Sequence, residues 1–178
     1  KYFAEVMLER VGTIDPARQQ KYLRVINEET DRLTRLINDL LDLQKISAGK
    51  FKWKLEEIRL DQIVRNTVQT FSGAGAARNV QLVSQVDPGL PVVLGDNDKI
   101  VQLVANLLSN AIKFTRAGSK VVVTAERGED PAFITDHRFH AYVKVSTTDE
   151  GIGIAPENLE KIFEKFQQVE DHFTRSQG

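Results

Sequence analysis

The feature that most narrows what this chain can fold into is a run of helical periodicity from Asp15 to Ser47 with no breaker inside it. Asp15-Pro16 opens the run, since Asp can cap a helix and Pro suits its first turn. Leu23, Ile26, Thr30, Leu33, Ile37, Leu40 and Gln44 then fall at alternating spacings of three and four, and Tyr22, Leu36 and Leu43 widen the seam on one flank. A stripe this wide suits a helix inside a bundle better than one of a two-stranded coiled coil. Residues 2–11 read as the closing turns of another helix, stopped at Gly12. That short segment cannot cover the stripe, so a homodimer is expected, with a second copy of the hairpin completing a four-helix bundle. The competing expectation is that the stripe packs on the chain's own downstream domain.

Ala48-Gly49-Lys50 ends the run and places a domain boundary, giving a helical hairpin over 1–49 and a second domain over 50–178. Beyond it the periodicity is mixed. Residues 51–58 are expected as a strand and Asp61 as the cap of a short amphipathic helix. Its inner face carries Leu60, Ile63, Val64, Thr67, Val68 and Phe71, and Ser72-Gly-Ala-Gly-Ala76 weakens its end. Strands are expected at 80–86, 92–94 and 120–125. Residues 127–138 read as a long polar hairpin loop. The alternation of Phe139, Ala141, Val143, Val145 and Thr147 marks a half-buried strand. A helix over 156–166 and a polar tail follow. Strands and helices segregated in this way predict an α+β fold, with helices on one face of a mixed sheet.

The 178 residues include 41% hydrophobic and 28% charged residues and carry a net charge of −1. That balance recommends neither nucleic acid nor an anionic membrane surface as a partner. No apolar run approaches the roughly 18–20 residues of a membrane span, and direct membrane contact by these residues is not expected. With no cysteine there is no thiolate nucleophile or zinc-thiolate site, and a reducing, cytoplasmic compartment fits.

The chemistry concentrates in residues 98–115, DKIVQLVANLLSNAIKFT. On a helix, Ile100, Val104, Leu107, Leu108 and Ala111 gather on one side, and Lys99, Gln102, Asn106, Asn110 and Lys113 on the other. The first face is an ordinary core face. The second is built from amides and lysines without a glutamate, although Asn is a poor residue for the middle of a helix. Taken by itself it reads as a solvated face. A second motif, DEGIGI at 149–154, changes the balance. A carboxylate fixed at a strand end accepts a hydrogen bond from an amino group such as that of adenine. The following glycines let backbone pass close to a flat ring and adopt positive φ. An Asn carbonyl suits Mg²⁺, which otherwise keeps waters and substrate phosphates as ligands. Lys113 supplies a point charge for phosphates, and Phe114 an aromatic face for a base.

With NLLSNAIKF at 106–114, DEGIGI at 149–154 and IFEKFQQ at 162–168, the chain resembles the sensor histidine kinases. INDLLDLQKISAGK at 37–50 resembles the end of their dimerisation hairpin. The resemblance implies a Bergerat-type α/β sandwich that binds Mg·ATP beneath a mobile lid, after a hairpin that forms a dimeric four-helix bundle. It implies transfer of the γ-phosphoryl to a histidine on that bundle, and onward to an aspartate in the receiver domain of a response regulator. By position, Asn110 is implied as the Mg²⁺ ligand, Asn106 as its neighbour in the phosphate site and Lys113 as the phosphate-contacting lysine. Phe114 is implied beside the base, Asp149 as the adenine reader, and Gly151, Gly153 and Ile154 as the wall of the pocket. Phe163 and Phe166 resemble the anchors of the lid, residues 167–178, and Arg175 a lid residue near the phosphates.

The family's second glycine box and its phosphoacceptor His are not among these residues, so the chain reads as part of a longer kinase that would not phosphorylate itself. His137, His140 and His172 lack a following acidic residue and read as solvated or locally bonded side chains. A gyrase-type or mismatch-repair ATPase of the same superfamily would place Glu, as a general base, four residues before the metal Asn, where this chain has Asn106. The remaining alternative is a degenerate kinase domain acting as a dimeric scaffold.

Overall fold

The computed structural model describes residues 2–129 and 141–163, which form two compact units, 1–53 and 54–178. In the first, α1 (Tyr2–Glu9) and α2 (Pro16–Ser47) are helices. Asp15 caps α2 as expected, its carboxylate accepting the Arg18 N–H at 3.1 Å, and Pro16 fills the first turn. The rings of Phe3 and Tyr22, 5.0 Å apart, join the two helices. No residue of α2 is buried. Leu33, Leu36, Ile37, Leu40 and Leu41 are exposed by 42–58%, so the expected stripe runs bare along the helix.

The second unit contains β1 (Glu56–Ile58), α3 (Leu60–Ala77), β2 (Gln81–Val86), β3 (Val93–Gly95), α4 (Asn97–Phe114), β4 (Lys120–Gly128) and β5 (Tyr142–Asp149). β4 lies at the centre of a three-stranded mixed sheet, parallel to β2 and antiparallel to β5. β1 and β3 make a separate antiparallel ribbon. Among the described residues no helix is long and apolar enough to cross a membrane.

The core lies between α3, α4 and one face of the sheet. Val64, Val68, Leu108, Ala111, Ile112, Val121, Val123 and Ala125 form its main cluster, and Ile58, Leu60, Ile63 and Val104 a second, with Val145 packed against both. Burying a side chain of this size removes about 1.5–3 kcal/mol of unfavourable exposure.

Two local expectations are corrected. The strand expected at 51–58 holds ladder pairing only over Glu56–Ile58, because its partner is the equally short β3. Asp61 does not cap α3. The helix starts two residues earlier, after Arg59, and Asp61 sits in its first turn paired with the Arg59 guanidinium at 3.3 Å. Gly73 and Gly75 lie in the last turns of α3, which ends at Ala77. A Cβ on Gly75 would stand 2.9 Å from both the Leu82 side chain and the Val80 carbonyl, so glycine here lets the helix press against β2.

Candidate functional site

α4 is positioned from its first turn. Asp96, only 8% exposed, caps the helix with one oxygen, which accepts the Lys99 N–H at 3.2 Å. Its other oxygen accepts the Lys54 N–H at 3.0 Å. The Lys54 N–H holds this carboxyl below the ordinary aspartate range against the opposing effect of burial, and the N–H and charge of Lys99 add to the lowering. The sequence reading did not single out Asp96. An aspartate directly ahead of an apolar-periodic helix was the available signal.

Val104, Leu108, Ala111 and Ile112 bury one face of α4. Leu107, expected on that face, is 41% exposed. Adjacent helical residues point about 100° apart, so with Leu108 against the sheet Leu107 falls on the flank, and Ile112 takes a core place instead. The opposite face is open. Asn106, Asn110 and Lys113 are exposed, and neither asparagine side chain has a hydrogen-bond partner among the described residues. At about 1.5 Å per residue, Asn110 and Asn106 lie about 6 and 12 Å back along the axis from Phe114. The Lys113 ammonium rests 4.9 Å from the centre of the Phe114 ring, a cation on an aromatic face. The Arg78 guanidinium donates to the Lys113 carbonyl at 3.1 Å, satisfying one acceptor of the last turn.

The glycine motif is seated on this end of α4. Asp149, the last residue of β5, lies opposite Val121 and accepts the Gly151 N–H at 2.8 Å. That closes an Asx-type turn, and the second carboxylate oxygen has no partner among the described residues. Gly151 pairs with Thr115 in an isolated antiparallel bridge. A Cβ on Gly151 would stand 2.6 Å from the Asp149 Oδ1 and 2.7 Å from the Phe114 carbonyl oxygen. This close approach is why the position takes glycine. Gly153 needs glycine for a different reason, a φ of +72°. Ile152 and Ile154 are about half exposed. The buried hydroxyls of Thr115 and Thr147, which flank the motif in space and in sequence, have no partner among the described residues.

The structure therefore brings Asp149, Gly151 and Phe114 together, with Asn110, Asn106 and Lys113 on the adjoining open face of the same helix. The helix expected over 156–166 is replaced, in its described part, by two 3₁₀ turns, Pro156–Asn158 and Lys161–Phe163. Leu159 is half exposed and Ile162 only partly buried, too small an apolar face to hold a regular helix. Phe163 ends the second turn. Phe166, Arg175, the lid at 167–178, His137, His140, His172 and most of the 127–138 loop lie outside the described residues; Arg127 and Gly128 belong to β4.

Among the described residues no cluster of three His, Cys, Asp or Glu could hold a metal ion unaided. A divalent cation here would combine an Asn oxygen with ligands brought by its substrate, which fits Mg²⁺. A cavity of about 560 Å³ lies elsewhere, between β1, α3 and the far flank of α4, lined by Ile63, Asn66, Val101 and Ala105 among others.

Residues 1–49 match the family model of the His Kinase A (phospho-acceptor) domain. Residues 95–178 match that of the histidine kinase-, DNA gyrase B-, and HSP90-like ATPase. Drug sensory protein A of Synechocystis is 34% identical over 185 residues, covering 100% of this chain and 26% of that protein. The non-motile and phage-resistance protein of Caulobacter vibrioides is 38% identical over 176 residues, covering 98% of this chain and 20% of that protein. The chain thus spans about a quarter or less of these curated relatives. Among solved structures, full-length ShkA in complex with AMPPNP matches with a TM-score of 0.67 at 27% identity, covering 89% of this chain and 32% of that one.

Proposed function

The chain belongs to the sensor histidine kinase family, and from that premise we propose that residues 50–178 bind Mg·ATP and pass its γ-phosphoryl to a histidine that is not among these residues, on the bundle to which residues 1–49 contribute. The phosphoryl would then move to an aspartate of a response regulator receiver domain. The observation that carries this reading is the seating of the Asp149 turn on the end of α4, through Gly151. It sets an acceptor for an amino group beside an aromatic ring, with two unpartnered amides and a lysine further along the same helix.

In this reading the open carboxylate oxygen of Asp149 accepts from the adenine amine, and the Phe114 ring lies against the base. Gly151, Gly153 and Ile154 line the pocket. Asn110 offers its oxygen to Mg²⁺, and Asn106 lies next to it toward the phosphates. Bound Mg²⁺ supplies charge neutralisation to the β- and γ-phosphates. Lys113 has a flexible four-carbon stem, which lets its ammonium leave the Phe114 ring for a phosphate oxygen. The family resemblance assigns Phe163 and Phe166 to the anchoring of a lid and Arg175 to the phosphates.

The bare stripe of α2 supports a homodimer. Contiguous exposed apolar surface of this kind marks an interaction site, and a second α2 matches it residue for residue. The decisive measurement for the site is a nucleotide titration of wild type and Asn110→Ala with Mg²⁺ and with EDTA. The variant is expected to lose affinity mainly when Mg²⁺ is present. Equal losses in both conditions would refute the metal role.

A further inference from the structure

Asp96 carries more than a helix cap. Its two oxygens accept backbone N–H groups from Lys54 and Lys99, at 3.0 and 3.2 Å. Lys54 is the first residue of the compact unit that contains the site, and β1 begins two residues later. The ladder of β1 with β3 ends at the pair Glu56↔Gly95. The bond from Lys54 to Asp96 therefore extends the ribbon past its last pair, and α4 begins at the next residue, Asn97. The ribbon is tightly seated, since a Cβ on Gly95 would come within 3.0 Å of the Ile58 side chain. One nearly buried carboxylate thus fastens the strand through which the chain enters the unit to the first turn of the helix bearing Asn106 and Asn110. A helix held by an unbroken bond ladder moves as a rigid element, so what fixes its first turn also fixes the asparagines.

We propose that Asp96 is a positioning residue that couples the order of the lead-in segment, residues 53–56, to the grip of α4 on its nucleotide. This rests on the nucleotide-binding reading above and adds to it a route by which the connection from the helical hairpin sets affinity. Coupling of this kind is reciprocal. Nucleotide bound on α4 must tighten the Lys54 bond by the factor by which losing that bond weakens nucleotide binding.

The test uses the full-length protein, with amide hydrogen exchange at Lys54 measured with and without Mg·ADP. Asp96→Asn separates the two halves of the contact. Asn caps helices as well as Asp does and keeps one oxygen for the Lys99 N–H, but its amide group donates and cannot accept the Lys54 N–H. Mg·ADP is expected to slow exchange at Lys54 about five- to tenfold in the wild type, and Asp96→Asn to bind Mg·ADP more weakly by the same factor. Lys54→Pro removes the donor and leaves the cap, and it carries the affinity test should Asp96→Asn fail to fold. A purely structural role would lower the unfolding temperature and leave the affinity of the folded protein unchanged. Normal nucleotide binding with unaltered exchange at Lys54, or wild-type affinity in the folded variants, would overturn the coupling alone. No binding by the wild type would remove the proposed function as well.

Discussion

Gly151→Ala tests the geometry on which the candidate site rests. The added methyl would stand 2.6 Å from the Asp149 Oδ1, 2.7 Å from the Phe114 carbonyl oxygen and 3.1 Å from the carbonyl carbon. Ordinary contact begins near 3.4 Å, and two of the three atoms belong to the backbone of the last turn of α4, which cannot swing aside as a side chain tip can. Overpacking of this kind costs about 1–3 kcal/mol, and backbone on both sides argues for the upper half of that range. Relief requires the turn to lift from α4, which breaks the Thr115–Gly151 bridge and the Asp149–Gly151 hydrogen bond. Gly153→Ala is the comparison. Nothing lies within 4 Å of its added Cβ, and the cost there comes from the positive φ alone, about 1–2 kcal/mol. Urea unfolding should rank Gly151→Ala as the more destabilised, and nucleotide titration should show it losing most of its affinity while Gly153→Ala loses little. A Gly151→Ala protein no less stable than Gly153→Ala, with nucleotide affinity intact, would refute the reasoning.

Asp149→Asn keeps an acceptor for the Gly151 N–H but loses the charge. Adenine-nucleotide affinity in the full-length protein should fall about 10–100-fold, the equivalent of about 1.5–3 kcal/mol, with little change in melting temperature. Replacing Leu33 and Ile37 together by Lys should turn a dimer into a monomer in sedimentation; a wild-type protein monomeric at about 10 µM or more (a range where even weak pairs form) would dismiss the bundle. Because the Asp96 carboxyl is lowered in the folded state, its contribution to stability is complete above the unfolded value, about 4, and fades as pH falls through the folded one. The gap in urea midpoint between wild type and Asp96→Asn should hold from neutral pH down to that value and close below it. A gap that widens on acidification would contradict the sign.

The parts of this molecule legible in sequence were those where one local signal fixes one geometry. Asp15-Pro16 opened α2 and capped it as read. The amide-and-lysine pattern gave α4, and its open face from Asn106 to Lys113, while Lys99 and Gln102 are partly buried and bonded to each other at 3.0 Å. The motif at 149–154 was legible as chemistry, but its fit to α4 was not, because the contact of Gly151 with Phe114 joins residues far apart in the chain. Distance explains the errors too. Residues 51–58 alternate like a strand, yet Phe51 and Trp53 stack on one another at 4.7 Å and Lys54 bonds to Asp96, so pairing begins only at Glu56. Asp61 is a good cap by composition, but Leu60 is drawn into the core at 7% exposure, and the helix starts two residues early.

The placement of β4 at the centre of the sheet has a consequence for how the second unit comes into being. Its parallel neighbour β2 leaves the chain at Val86, and β4 begins at Lys120, so residues 87–119, with all of α4, must be accommodated before the central pair can close. Parallel pairing across such an excursion is slow, because closure entropy is lost before any contact returns it. On a ribosome, α3 and β2 emerge with no strand to cover Val64 and Val80. Val121 and Val123, fully buried once folded, supply that cover only after all of α4 has been made. No shorter product of synthesis holds the asparagine face against a finished sheet. A nascent chain of this design can complete its candidate site only after its central strand is in place.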